Sequence, residues 1–163
     1  MAGGAGVAGP LWLGIDVGTS SVKAVLVDDG DAVVAEASAP LTVDRPHPMW
    51  AEQHPEAWWA ATAESLDRLA ADRPDGMARV GAIGLSGQML GVAPLDRDGR
   101  PIRPAILWND GRAAAEGAAL EGAVPGFAAV TGSRPMPGFP APKLLWLARH
   151  EPDVLARARH ILL

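Results

Sequence analysis

The N-terminal quarter of the chain alternates short apolar runs with abrupt polar stops. Leu11 to Val17 reads LWLGIDV and is cut off by Gly18-Thr19-Ser20. This pattern predicts a buried strand with one carboxylate, Asp16, near its end. Val22 to Asp28 follows at once as a second strand. Asp28-Asp29-Gly30-Asp31 is a turn signal, and Ala32 to Ser38 reads as a third strand. Three strands joined by two tight connections predict an antiparallel meander. Residues 39–54 carry Pro40, Pro46 and Pro48 and read as irregular. Pro55 suits the first position of a helix, where its missing N–H costs nothing, and the helix is predicted to run to about Ala71.

Further along, Arg79 to Gly87 (RVGAIGLSG) predicts another buried strand. Gly91 to Asp96 and Pro104 to Trp108, either side of Arg97-Asp98-Gly99-Arg100, predict a hairpin. Arg112 to Leu120 reads as a short helix. The proline-rich stretch 132–142 reads as a loop, Lys143 to His150 as a helix, and Val154 to Arg159 as another. His160 to Leu163 is an apolar run that stops without a polar cap, so the domain is expected to be incomplete at its C-terminus. The order strand-strand-strand-helix-strand predicts an α/β fold. The 79–86 strand is expected to lie parallel beside the first, reached through a right-handed crossover.

Composition narrows the classes. A length of 163 residues, 48% hydrophobic and 20% charged, suits one globular domain with a packed core. The net charge of −5 argues against a nucleic-acid partner, which would demand clustered Lys and Arg. There is no cysteine, hence no disulfide, thiolate metal site or thiol nucleophile. The stretch from Val7 to Ile15 is too short to span a bilayer, so no membrane partner is expected and a cytoplasmic location is the default. Residues 1–10, Gly/Ala-rich and uncharged, read as a disordered tail.

Four constellations carry candidate chemistry. In Gly14-Ile15-Asp16-Val17-Gly18-Thr19-Ser20, Gly18 permits a tight turn and a close approach of phosphate to backbone. Thr19 and Ser20 offer hydroxyl and N–H groups, and Asp16 suits Mg²⁺ held through water. The same residues also describe an ordinary hairpin turn. They match neither a Walker loop nor a dinucleotide fingerprint. Ser86-Gly87-Gln88-Met89-Leu90-Gly91 places an amide at a small-residue bend after a strand, either opening a cavity or forming a bulge. Trp108-Asn109-Asp110-Gly111-Arg112 is a turn whose amide, carboxylate and guanidinium suit a polyol, or a helix cap with a surface ion pair. Trp50, Trp58 and Trp59 lie around Pro55, where packing explains them better than sugar stacking. His47, His54, His150 and His160 show no metal spacing.

Taken together, GIDVGTSSVKAVLVD, LTVDRPHPMWAEQHPEAWW, GLSGQMLG, RPAILWNDGR, VTGSRPMPGFPAPKLLWLARHEP and the final ILL resemble the FGGY family of carbohydrate kinases. The resemblance runs in order from residue 11 to residue 163 and covers about a third of such an enzyme. It implies an actin-like ATPase, ribonuclease-H-like domain with a mixed sheet and crossover helices. Residues 11–163 would be the N-terminal kinase domain, with the second lobe absent. It implies ATP and Mg²⁺ as cofactors and phosphorylation of a ketopentose, D-xylulose to D-xylulose 5-phosphate first; another sugar or polyol (ribulose, glycerol) and a non-catalytic sugar-binding module are the alternatives. A homodimer is a further expectation for the full-length form. By resemblance, Asp16 matches the metal- and phosphate-side aspartate. Gly18, Thr19 and Ser20 match the phosphate hairpin. Met89 and Leu90, next to Gln88, match the sugar contacts, and Trp108, Asn109 and Asp110 a segment near the sugar. Asp16, the Gly18 to Ser20 hairpin and the Gln88 to Leu90 bend are expected to converge on one cleft. Leu90 departs from the histidine usual there. The family's catalytic base lies in a later segment, so this chain alone is expected to be inactive.

Overall fold

A computed structural model describes residues 9–163. The expected tail therefore falls outside the described residues up to position 8. Fourteen elements follow in chain order: β1 (Leu11–Val17), β2 (Ser21–Val27), β3 (Val33–Pro40), β4 (Glu52–Gln53), α1 (Pro55–Asp72), α2 (Pro74–Met77), β5 (Val80–Gly87), β6 (Ala93–Leu95), β7 (Ala105–Ile106), α3 (Ala114–Ala123), α4 (Phe127–Thr131), α5 (Pro140–His150), α6 (Pro152–Arg157) and β8 (His160–Leu162). No described helix is long and apolar enough to cross a membrane. Contacts divide the chain into two units, Met1–Leu41 with Trp58–Gly87, and Thr42–Ala57 with Gln88–Leu163.

The first unit is built on a mixed four-stranded sheet in the order β3-β2-β1-β5. The first three strands form the antiparallel meander. β5 joins in parallel on the far side of β1, as the strand order predicts. Alternation decides which face is buried. Leu11, Leu13 and Ile15 of β1 and Val22, Ala24 and Leu26 of β2 pack with Ala39, Ala61 and Leu69 into one core. Helix α1 covers this face through Ala61, Ser65 and Leu69. The buried Ser65 hydroxyl donates to the carbonyls of Ala61 (2.8 Å) and Val22 (3.2 Å). β5 forms the sheet edge, and there Ile83 and Leu85 are 60% and 78% exposed.

The second unit departs from expectation in its pairing. Residues 91–96 and 104–108 run antiparallel around the 97–100 turn as expected, but only in part: Val92 and Ile106 exchange backbone hydrogen bonds at 2.9 and 3.0 Å, and Leu95 meets Pro101 at a second bridge. The unforeseen pairings are those of β7 with β4 and of β6 with β8. The run at His160–Leu162 is thus a strand in the structure described. Helix α3 starts at Ala114 with no side-chain cap, so neither Asn109 nor Asp110 caps it. Val92, Ile106, Ala113, Trp146 and Leu147 form the core of this unit, flanked by Trp50, Leu144, Val154 and Leu155.

Candidate active site

In the first unit the β1–β2 hairpin is closed by the Gly18 N–H, which donates to the Ser21 carbonyl at 3.1 Å. A Cβ at Gly18 would stand 3.0 Å from that same oxygen, so the turn leaves almost no room for a side chain. The Gly18 N–H is thus engaged within the hairpin, and Thr19 and Ser20 follow it in the turn. Asp16 is exposed near the end of β1. Its cross-strand neighbour is Lys23, which instead pairs with Glu36 at 3.5 Å. Strands β1 and β5 end in register, Asp16 beside Ser86 and Val17 beside Gly87. A groove of about 280 Å³ opens beside Asp16, with Gly14 and Gly84 in its lining and Lys23 and Ser86 among its polar groups. No described cluster of three or more His, Cys, Asp or Glu side chains could enclose a metal. Ile15, Val25 and Leu85 also line this groove. Mg²⁺ keeps waters and takes further ligands from phosphates, so a single exposed carboxylate such as Asp16 is compatible with it.

In the second unit the Gln88 amide donates to Gln53 Oε1 at 3.1 Å, and Gln53 in turn donates to the Thr42 carbonyl. Met89 is exposed. Leu90 has φ of +62°, a left-handed conformation that costs an L-residue roughly 1–2 kcal/mol. Its carbonyl accepts from Lys143 Nζ at 2.7 Å, and the Gly138 carbonyl accepts from the same ammonium at 2.6 Å. Lys143 is fully buried, and burial lowers its pKa to about 8; the Asp110 carboxylate opposes that shift and the Arg112 guanidinium reinforces it.

The Trp108-to-Arg112 turn divides sharply. Trp108 and Asn109 face solvent, whereas Asp110 is buried. The Asp110 carboxylate accepts from the Ala51 N–H (2.6 Å), the Arg112 N–H (2.9 Å) and two guanidinium nitrogens of Arg112 (2.9 and 2.8 Å). The Arg112 guanidinium lies 3.7 Å from the Trp50 ring centroid and 5.0 Å from that of Trp146, a cation–π arrangement on two rings. Arg112 Nη1 stands 2.7 Å from Glu52, which also pairs with Arg103; Arg103 in turn reaches Glu151 at 3.3 Å. The turn thus rests on a buried ion network rather than on the surface pair the sequence suggests.

Asp16, Gly18, Thr19 and Ser20 therefore share one strand end of the first unit. Gln88, Met89, Leu90, Trp108, Asn109 and Asp110 belong to the second. Within that second unit only Met89, Trp108 and Asn109 of the group are exposed. Sequence reasoning passed over Lys143, the residue that ties the Leu90 bend to the loop before α5. A signal was present: the chain has two lysines, and this one sits in the otherwise apolar start of a helix, APKLLW.

The family model for the N-terminal domain of the FGGY family of carbohydrate kinases matches residues 11–163. The chain belongs to the FGGY family of carbohydrate kinases. Among its FGGY relatives, the xylulose kinase of Escherichia coli strain K12 is 48% identical over 94% of this chain and 31% of its own length. A crystal structure of a xyloylose kinase from Brucella ovis superposes with a TM-score of 0.90 at 47% identity, covering 93% of this chain and 32% of that one. The xylulose kinase of Rhodospirillum rubrum gives 0.86 at 37% identity, over 91% and 31%. The chain thus spans about a third of the length of the FGGY proteins it matches, and its fold is the actin-like ATPase fold that they share.

Proposed function

We propose that this chain supplies the phosphate-side and sugar-side residues of an ATP-dependent carbohydrate kinase that converts D-xylulose to D-xylulose 5-phosphate. One observation carries the phosphate side: Asp16, exposed and engaged in no ion pair among the described residues, stands at in-register strand ends beside a tight hairpin in which a Cβ at Gly18 would come within 3.0 Å of the Ser21 carbonyl oxygen. In this role Asp16 holds the metal, and Thr19 and Ser20 donate to phosphate oxygens. Mg²⁺, when bound, offsets phosphate charge. On the sugar side, Met89 and Trp108 offer apolar surface to the C–H face of a polyol, and Asn109 offers an amide to its hydroxyls. Asp110 supports this turn from behind, and Gln88 anchors the bend through Gln53. The identity to xylulose kinases supports the choice of sugar.

The general base is not assigned to any residue here. Asp110 and Glu52 are both engaged by buried guanidinium groups. In the complete kinase, Asp16→Ala is expected to lower kcat far more than it raises the sugar KM, because phosphoryl charge changes most in the transition state. A raised KM with unchanged kcat would make Asp16 a sugar contact instead. Leu90, in place of a histidine, removes a donor and acceptor, so the same assay should be run with D-ribulose and glycerol beside D-xylulose. A higher kcat/KM for either would replace D-xylulose as the substrate.

A further inference from the structure

Resting on the sugar-side assignment above, we propose that Lys143 is a positioning residue of the sugar site: its ammonium, held between the Leu90 and Gly138 carbonyls, fixes the Met89–Leu90 bend. Four observations converge on it. Lys143 is completely buried, although it is one of only two lysines in the chain. Its two carbonyl partners come from separate segments, one 53 residues away in sequence and one five residues away on the loop leading into α5. One partner belongs to Leu90, whose left-handed backbone is unfavourable for a branched side chain and so needs an external hold. The other belongs to Gly138, where a Cβ would come within 2.4 Å of the Trp108 carbonyl oxygen. The ammonium therefore links the bend that presents Met89 to a loop pressed against the backbone of Trp108.

An apolar side chain of similar length would fill the same space without desolvating a charge, so packing does not account for a lysine. Two carbonyl oxygens aimed at one point do account for it. An ammonium has three donors and no acceptor, and it can satisfy both carbonyls while a neutral side chain of the same shape satisfies neither. Lys143 touches no reacting atom in this scheme. It acts through Leu90 by holding the backbone where the side chains of residues 89 and 90 meet the sugar.

The test separates the ammonium from the space it fills. The chain has no cysteine, so Lys143→Cys introduces a single thiol. Alkylation with 2-bromoethylamine in denaturant, followed by refolding, rebuilds a lysine-like ammonium. Alkylation with 1-bromopropane gives the same length without charge or donors. D-xylulose binding to the full 163-residue chain is then followed by titration, with backbone NMR shifts of Met89, Leu90 and Gly138 recorded alongside. The aminoethyl derivative is expected to match the wild-type chain in affinity and shifts. The propyl derivative is expected to bind roughly tenfold more weakly, with shifts moved at all three residues. Equal affinity of the two derivatives overturns the proposal alone. A folded wild-type chain that does not bind D-xylulose overturns the sugar-side assignment, and the role of Lys143 falls with it. Should the alkylated chains not refold, Lys143→Gln, one bond shorter and uncharged, takes their place; unchanged affinity in that variant overturns the proposal.

Discussion

The Asp110 carboxylate accepts from the Ala51 backbone and from the Arg112 guanidinium, while the side chain of Asn109, one residue earlier, stands in solvent. The two positions should therefore respond differently to substitution. Asp110→Asn leaves the buried Arg112 short of a counter-charge and is expected to lower stability by about 3 kcal/mol in urea unfolding. Asn109→Ala should change it by less than about 0.5 kcal/mol and weaken sugar binding instead. Lys143 makes a prediction in pH. Its folded-state pKa is lowered to about 8 from an ordinary 10.5. Below pH 8 the lysine is protonated in both states, and the cost of burying the charge is fully present. Between 8 and 10.5 the unfolded chain binds more protons, so stability rises with pH and levels off above. Set against Lys143→Met, the gain across that window should reach about 3 kcal/mol, read from unfolding midpoints at fixed pH. Much of this scale was legible in the sequence, since WNDGR announces a turn with an internal ion pair. Its burial was not, because Glu52 and the Trp50 and Trp146 rings arrive from distant segments.

Elements were easiest to read where a single local pattern decides them. The Leu11–Val17 strand ends where Gly18 forces the turn, and α1 starts at the proline that suits a first helical position. Pairing in the second unit was not legible, because β4, β6, β7 and β8 are two or three residues long and too short for alternation to choose a partner. Val92 and Ile106 exchange both backbone hydrogen bonds as a hairpin would, and β7 pairs in addition with β4, which no local pattern announces. The loop before α5 depends on a missing side chain. Gly138→Ala would push a methyl to 2.4 Å from the Trp108 carbonyl, so either the loop or the turn must move. Expected effects are a loss of about 1–3 kcal/mol in thermal unfolding and altered fluorescence of the half-exposed Trp108.

At the scale of the molecule, the purified 163-residue chain with ATP, Mg²⁺ and D-xylulose is expected to give no turnover above a no-enzyme control in a coupled assay. Phosphoryl transfer needs a positioned base as well as a metal-side carboxylate. The carboxylates of Asp110 and Glu52 are already committed to Arg112 and Arg103. Turnover that survives further purification and disappears in Asp16→Ala would show a base among the remaining residues. The general fold could be read in outline because the meander, the crossover helix and the parallel strand follow one another along the chain. The second unit is harder, being assembled from Thr42–Ala57 and Gln88–Leu163 with a stretch of the first unit between them. That interleaving has a consequence during synthesis. The Ala51 N–H and the Asp110 carboxylate that receives it are 59 residues apart. At about 5–20 residues per second, the earlier segment leaves the ribosome roughly 3–12 s before its partner exists. Throughout that interval Trp50 and Glu52 lack the guanidinium they later surround, and translational pausing between codons 58 and 110 would prolong their exposure to chaperones and proteases.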